Sequence, residues 1–286
     1  MRLLDQNQLE ERAVAVMSPD SRALDTARAF DGVAAAYHQS NLGNPILQHM
    51  RDRSIAMLRR HASPGSRVLD LGCGPGTDLL SLVRSGYEVT AIDGSAEMVR
   101  EAQRVAAMVE SAERPAVLQR DIDDVAAFPP GSFDAAFSHF GPLNCVGDLA
   151  SVASGLQRIL RPGGVLVASV IGRICPWEIA LYLSRGDVAR ALIRFSGGHV
   201  RVPLQERMVW TRYLSPHGFA RTFVGARFTT CELASLGIIA PPPYLEGFAA
   251  RHPRLTASLL SADARVGGWP VVRQMGDHFL IALRRG

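Results

Sequence analysis

Short apolar runs alternate with amphipathic stretches through the middle of this chain, and that alternation constrains the fold more than any other feature. Residues 67–72, 88–93, 116–119, 133–138 and 164–171 read as strands. Helical spacing lies between them over 77–85, 95–109 and 148–160. A parallel return needs a long crossover, so such a pattern builds parallel βαβ units with helices on both faces. The expected class is therefore α/β, with a mostly parallel, doubly wound sheet.

Two helices are expected before the first strand, at 21–37 and 45–62, separated by turn-forming residues at 41–45. In the second, Ile46, Met50, Ile55 and Leu58 recur near helical spacing. After residue 171 the alternation loosens. Residues 176–196 read as helix, 197–214 show no clean period, and 215–224 suit a short helix. A strand is expected at 228–238, stopped by Pro241-Pro242-Pro243, then a helix at 245–263 and a closing strand at 278–284. No repeat or low-complexity linker divides the chain, so a single domain with an irregular accessory region is expected.

Composition removes several function classes. All 31 basic residues are Arg. Without a lysine there is no Schiff-base chemistry and no Walker-type phosphate loop. The four cysteines, at 73, 145, 175 and 231, form no CxxC pair or metal-ligand spacing, so no metal is expected. No signal-length apolar stretch opens the chain, and the longest apolar run, at 165–171, falls far short of the ~20 residues of a membrane span. The protein is read as soluble and cytoplasmic, without membrane partners. Charge is uneven: residues 172–286 carry 15 Arg against 7 acids, a balance of +8. That third can attract an anionic ligand, or its arginines can simply solvate helix faces. No basic run interleaved with aromatics marks a nucleic-acid track.

The site chemistry starts where the first strand ends. Asp70-Leu-Gly72-Cys73-Gly74-Pro-Gly76 lets the backbone turn tightly and a ligand lie against it. Alone, such a loop serves NAD, FAD or S-adenosylmethionine. The dinucleotide fingerprint GxGxxG needs glycine at 77, where this chain has Thr77. Asp93 ends the second strand, 17 residues after Gly76, where a carboxylate can accept both hydroxyls of a ribose. Asp121 follows the third strand with Ile122 beside it, placed to meet an adenine.

Taken in order, Val68-Leu-Asp-Leu-Gly-Cys-Gly-Pro-Gly-Thr77, Asp93, Asp121, Phe133-Asp-Ala-Ala-Phe137 and Leu160-Arg-Pro-Gly-Gly164 resemble the class I S-adenosylmethionine-dependent methyltransferases. The resemblance covers roughly residues 30–172. It implies a Rossmann-like seven-stranded sheet with an antiparallel last strand, a helical cap, and a cofactor across the C-terminal strand ends. Within it, residues 1–62 would be an N-terminal helical cap and 63–171 the cofactor-binding core. Residues 172–225 would be an acceptor-site cap, and 226–286 the last strands with a helical insertion.

The resemblance also implies roles. Gly72, Cys73, Gly74 and Gly76 would line the methionine and ribose portion, with Asp70 near the amino group. Asp93 and Gly94 would hold the ribose, Met98 would pack on the adenine, and Asp121 and Ile122 would bracket it. Ser138 and His139 would touch the methionine end, and Tyr37 or Arg51 would reach the cofactor carboxylate. The Asp/Asn-Pro-Pro-aromatic run of enzymes that methylate nucleic-acid bases is absent; this chain reads Ser138-His-Phe-Gly-Pro-Leu-Asn144 there.

The expected function is methyl transfer to a small-molecule acceptor, anionic ones included, plausibly in secondary metabolism. A non-methylating, cyclase-like catalyst and a cofactor-sensing regulatory protein are the alternatives. His139 is the first candidate base, against the reading that it only hydrogen-bonds; His217 is the second. Asn144, Arg173, Trp177, Trp210, Tyr213 and Tyr244 are candidate acceptor contacts, with Glu178 as a further orienting group. Loop capping and aromatic packing explain the same residues.

Overall fold

In the computed structural model the described residues are 19–34, 43–110, 114–204 and 206–286. The strands are β1 (Arg67–Leu71), β2 (Glu88–Asp93), β3 (Ala116–Gln119), β4 (Phe133–Ser138), β5 (Leu160–Ile171), β6 (His199–Leu204), β7 (Arg207–Arg212), β8 (Phe228–Leu236) and β9 (His278–Arg285). Seven of them form one sheet in the order β3-β2-β1-β4-β5-β9-β8. β9 pairs antiparallel with both β5 and β8, whereas the pairs from β3 through to β5 are parallel. The expected mostly parallel sheet with an antiparallel last strand is the one observed.

Period-two burial explains why the strands read as continuous apolar runs. Val68, Ala135, Val165, Val167 and Leu280 face one side of the sheet, and Leu69, Leu71, Ala136, Leu166 and Ile281 the other. The first side is covered by α2 (Pro45–His61), α3 (Leu79–Arg84) and α4 (Ala96–Ala106), through Met50, Leu58, Leu82 and Val99. The second is covered by α5 (Leu149–Ile159), through Val152, Leu156 and Ile159, and later in the chain by Phe219 and Phe223. In β1, β4 and β5 both faces are largely buried, so these strands lack a polar side to betray their register.

The accessory region departs from the wholly helical cap expected. α1 (Pro19–Asp31) precedes the core, and Tyr37 lies outside the described residues. The helix expected at 176–196 is broken at Gly186, whose φ of 72° is left-handed. It becomes α6 (Pro176–Ser184) and α7 (Val188–Leu192). The aperiodic stretch at 197–214 is a hairpin, β6 against β7, that packs on α1. Pro203 and arginines at 201, 207 and 212 hid it, since proline demotes a strand and a hairpin outside the main sheet buries little. α8 (Pro216–Val224) follows, and the last expected helix splits at Pro253 into α9 (Glu246–Arg251) and α10 (Pro253–Val266). No helix among the described residues is long and apolar enough to cross a membrane.

One buried side chain ties these layers at the site end. Asn144, in the 3-10 turn after β4, donates to the carbonyls of Ile171 (3.1 Å) and Arg212 (2.8 Å) and accepts from Ile171 N (2.9 Å). It therefore joins the exits of β4, β5 and β7. Asn144→Ala leaves these groups unpaired, and should lower the unfolding free energy by about 2–4 kcal/mol. Urea denaturation measures it; a loss below about 1 kcal/mol would show that water replaces the clasp.

Candidate cofactor cleft and catalytic pocket

β1 and β4 are neighbours in the sheet, although the chain leaves β1 for β2 and β3 before returning to β4. Their C-terminal ends open a crevice at this switch in direction, the place where doubly wound sheets bind ligands. The cleft has a volume of about 310 Å³.

Its floor is the glycine loop. Gly74 has φ 53°, and a Cβ there would meet nothing within 4 Å, so the missing side chain leaves open space over the backbone. Gly76 has φ 80° for a different reason: a Cβ would stand 2.9 Å from Ala102 Cα, so this glycine lets α4 approach the loop from below. Gly72, Cys73, Gly74, Asp93, Gly94, Met98, Asp121, Ile122 and His139 all line the cleft. Asp70, Gly76 and Ser138 lie behind it.

Asp93 organises one end. Its carboxylate accepts from Gly74 N and Ser95 N, both at 2.9 Å, and so fastens the glycine loop to the start of α4. Burial raises this carboxyl to about 6, although the two amides oppose the rise. Burial also raises Asp121. Asp70 is pushed well above the usual carboxylate range by burial and by the charges of Asp78 and Asp93. Its Oδ2 is buried without a hydrogen-bond partner among the described residues, as is Ser138 Oγ. α1 closes this end: Asp31 accepts from Ser95 Oγ (2.6 Å) and Glu97 N (3.1 Å), and Thr26, Ala27 and Phe30 line the cleft.

The other end holds a hydrogen-bonded trio. Asp78 accepts from Arg51 Nε at 2.5 Å and lies 3.2 Å from His139 Nδ1. Burial alone would raise the Asp78 carboxyl, but His139 and Arg51 hold it below the usual range. Burial pulls the His139 imidazole down despite Asp78. A neutral ring donating from Nδ1 leaves Nε2 as acceptor, and Nε2 is buried without a partner among the described residues. Phe140 stacks on the imidazole with ring centroids 3.7 Å apart. Its backbone is left-handed (φ 61°), held there as its N–H donates to Ser169 Oγ at 2.8 Å. Pro142, Val146, Ile171, Val202 and Val209 add apolar lining to the cleft, while Leu204 packs with Phe30 and Met98 at the α1 end. Burial lifts the Cys145 thiol to about 11 and the Cys73 thiol well above normal, so neither is a thiolate.

The six acceptor contacts expected from the sequence lie elsewhere. Asn144 is the clasp described above. Trp177 Nε1 donates to the Ile239 carbonyl at 2.8 Å, and Trp210 is buried where its N–H donates to Thr26 Oγ1. Tyr244 is half exposed and lines no cleft. Arg173, Tyr213 and His217 line a second cavity, while Glu178 pairs with Arg194. The two tryptophans serve packing, and the hairpin contributes Val202, Pro203, Leu204, Val209 and Thr211 to the cleft. Asp78 and Phe140 were missed. Asp78 follows the glycine loop by two residues, yet its partner His139 is 61 positions away, a pairing without a local signal.

The fold and the cleft define a doubly wound α/β protein whose cradle suits an adenosine-bearing, positively charged ligand. Open space lies over Gly74, and the Asp93 carboxylate lines the cleft beside it. The unpaired acid of Asp70 and the raised carboxyls of Asp93 and Asp121 gain from a cation.

The family described as "Methyltransferase domain" matches residues 68–164. Over 155 residues, 54% of the chain, the sequence is 38% identical to a "Ubiquinone biosynthesis O-methyltransferase" of Xanthomonas campestris pv. campestris (strain B100). That stretch is 63% of the relative, so the chain spans less than two thirds of its length. Among solved structures, the fold resembles a 1,6-didemethyltoxoflavin-N1-methyltransferase of Burkholderia thailandensis (TM-score 0.58, 16% identity, covering 94% of this chain and 91% of that one). It also resembles the [4+2]-cyclase SpnF (TM-score 0.54, 18% identity, 82% and 80%). These two likenesses show a shared fold. Over residues 68–164 the chain is similar to S-adenosylmethionine-dependent methyltransferases of class I, which use S-adenosylmethionine as cofactor.

Asp93→Ala should weaken S-adenosylhomocysteine binding by roughly ten- to a hundredfold, the loss of charge-assisted hydrogen bonds worth about 1.5–3 kcal/mol. In the wild type, affinity should fall as the pH drops below about 6, because protonation removes the carboxylate acceptor. Calorimetry at pH 5 and 7.5 checks both; unchanged affinity in the variant would remove Asp93 from the site.

Proposed function

We propose that this protein transfers a methyl group from S-adenosylmethionine to a hydroxyl of a small, largely apolar acceptor of the kind met in secondary metabolism, with His139 as the base. The observation that carries this reading is the unpartnered, buried Nε2 of His139, on a residue lining the cleft, with Nδ1 turned to Asp78. An amine acceptor needs no such base beyond its own lone pair, whereas a hydroxyl gains from one. The apolar lining of Pro142, Val146, Val202 and Val209 suits a ring or a hydrocarbon body. The O-methyltransferase named above supports the same acceptor atom.

The cofactor, when bound, supplies an electrophilic methyl on a sulfonium and departs as a neutral thioether. The protein does the rest. The glycine loop and Asp93 fix one reactant, and the apolar lining places the other in line with it. The acceptor O–H bond breaks as its oxygen bonds the methyl carbon, and the proton passes to His139 Nε2. Asp78 stabilises the imidazolium through Nδ1–H and holds the tautomer, as a carboxylate partner does for other catalytic histidines. Arg51 keeps Asp78 ionised and in place. The imidazolium returns its proton to water when the cleft opens.

His139→Ala should lower kcat by about a hundredfold or more and leave S-adenosylhomocysteine affinity within about twofold. In the wild type, kcat/KM should rise with pH through an apparent pKa below 6.5, because burial lowers the imidazole. S-adenosylhomocysteine release across a panel of phenols and catechols measures both. Wild-type turnover in the variant would remove the base. Acceptor conversion without release of that product would favour the non-methylating reading.

A further inference from the structure

A second cavity, also of about 310 Å³, shares no lining residue with the cleft. It is bounded by the exit of β5, the end of β7 and the first turns of α8. Arg173, Arg212, Arg221 and His217 line it, and no carboxylate does among the described residues. The three arginines of the cavity form no ion pair among the described residues, whereas the buried guanidiniums of Arg51 and Arg194 are each matched by a carboxylate.

The cavity is also partly organised. Arg173 Nη2 donates to the Phe195 carbonyl at 2.9 Å, which fixes the guanidinium, while its Nε is buried and bonds nothing among the described residues. At the start of α8, Ser215 Oγ accepts from Gly218 N at 3.1 Å and Pro216 has no N–H. The amide of His217 is then the unused donor of the first turn, at the positive end of a nine-residue helix. Three guanidinium groups brought together without a counter-charge repel one another, and an oxyanion relieves that repulsion while accepting their idle donors.

We propose that this cavity is a binding site for a phosphate-type oxyanion, separate from the methyl-transfer cleft. It uses the part of the chain whose balance of +8 no feature of the cleft requires. The site takes a dianionic, tetrahedral group in preference to a single carboxylate, since three cations converge where one would pair an acetate. Whether that group arrives free or esterified to a small molecule is a matter of what fills the remaining volume.

The test is calorimetric titration of the full chain with inorganic phosphate, phenyl phosphate and acetate at matched, low ionic strength. Saturating S-adenosylhomocysteine is present to fill the cleft, and its own binding is measured beforehand. The proposal expects phosphate to bind and acetate to bind at least tenfold more weakly. Arg212→Ala and Arg221→Ala should each weaken phosphate by about tenfold and leave S-adenosylhomocysteine affinity unchanged, which shows the fold intact. Phenyl phosphate tighter than phosphate assigns an esterified ligand; equal affinities assign the free anion. No phosphate binding, or equal binding in the wild type and the Arg212→Ala/Arg221→Ala double variant, overturns the site. S-adenosylhomocysteine binding is read separately, so failure here leaves the cleft untouched, and failure there leaves this site untouched.

Discussion

The direct pairing of β1 with β4 is the constraint on which the rest of the molecule depends. Val68, Leu69 and Asp70 sit opposite Ala135, Ala136 and Phe137 in parallel register. The chain between them is spent on β2, β3 and their connections, which lie to one side, while β5, β9 and β8 extend the sheet to the other. The two strand ends therefore diverge into separate loops with no helix crossing the gap. The glycine loop comes from one end and His139 from the other, and the cleft is the space between them. The pairing is held by burial on both faces, where Val68 and Leu69 are fully enclosed.

Buried charge is used differently on the two sides of that gap. At the glycine loop, carboxyls are buried with too few partners, so Asp70 and Asp93 are raised and the site favours a cation. At the start of β9 the charges are closed on themselves. Arg194 pairs with Glu178 and Asp277, and its Nη1 also donates to the carbonyls of Gly172 (3.0 Å) and Asp277 (2.9 Å). Cys175, Glu178 and Asp277 could otherwise resemble a metal cluster, but the guanidinium already satisfies the two acids. Asp277 is held below its usual range by His278 and Arg194, against the effect of burial. A buried pair of this kind is costly to form and costlier to break. Its place is structural: it pins the accessory helices to the end of the sheet, with Phe140 packed edge-on against His278.

Much of the core was legible because its information is local. The strands of the core showed as apolar runs, and the glycine loop, Asp93 and Asp121 stand at fixed offsets from strand ends. The accessory region was not legible in the same way. The β6–β7 hairpin carries three arginines and a proline and stacks on α1 rather than joining the sheet. Trp177, Trp210, Tyr213 and Tyr244 were natural candidates for an apolar pocket, since aromatics in a cap suggest one. The tryptophans pack the cap itself, Tyr213 lines the second cavity and Tyr244 is half exposed, while valines, a leucine and prolines line the cleft.

The sequence by itself determined the layered sheet, the glycine floor and the acids at the ends of β1, β2 and β3. Strand period, turn residues and loop length act over a few positions, and each leaves a mark a reader can find. Only the tertiary structure decided which histidine of the cleft has a carboxylate behind it and which apolar side chains line the cleft. It also decided where unpaired arginines converge. Asp78 with His139, Arg51 with Asp78, and Arg173 with Arg212 and Arg221 are brought together by the packing of elements far apart in the chain. Electrostatic partnership acts through space, and no spacing rule records it.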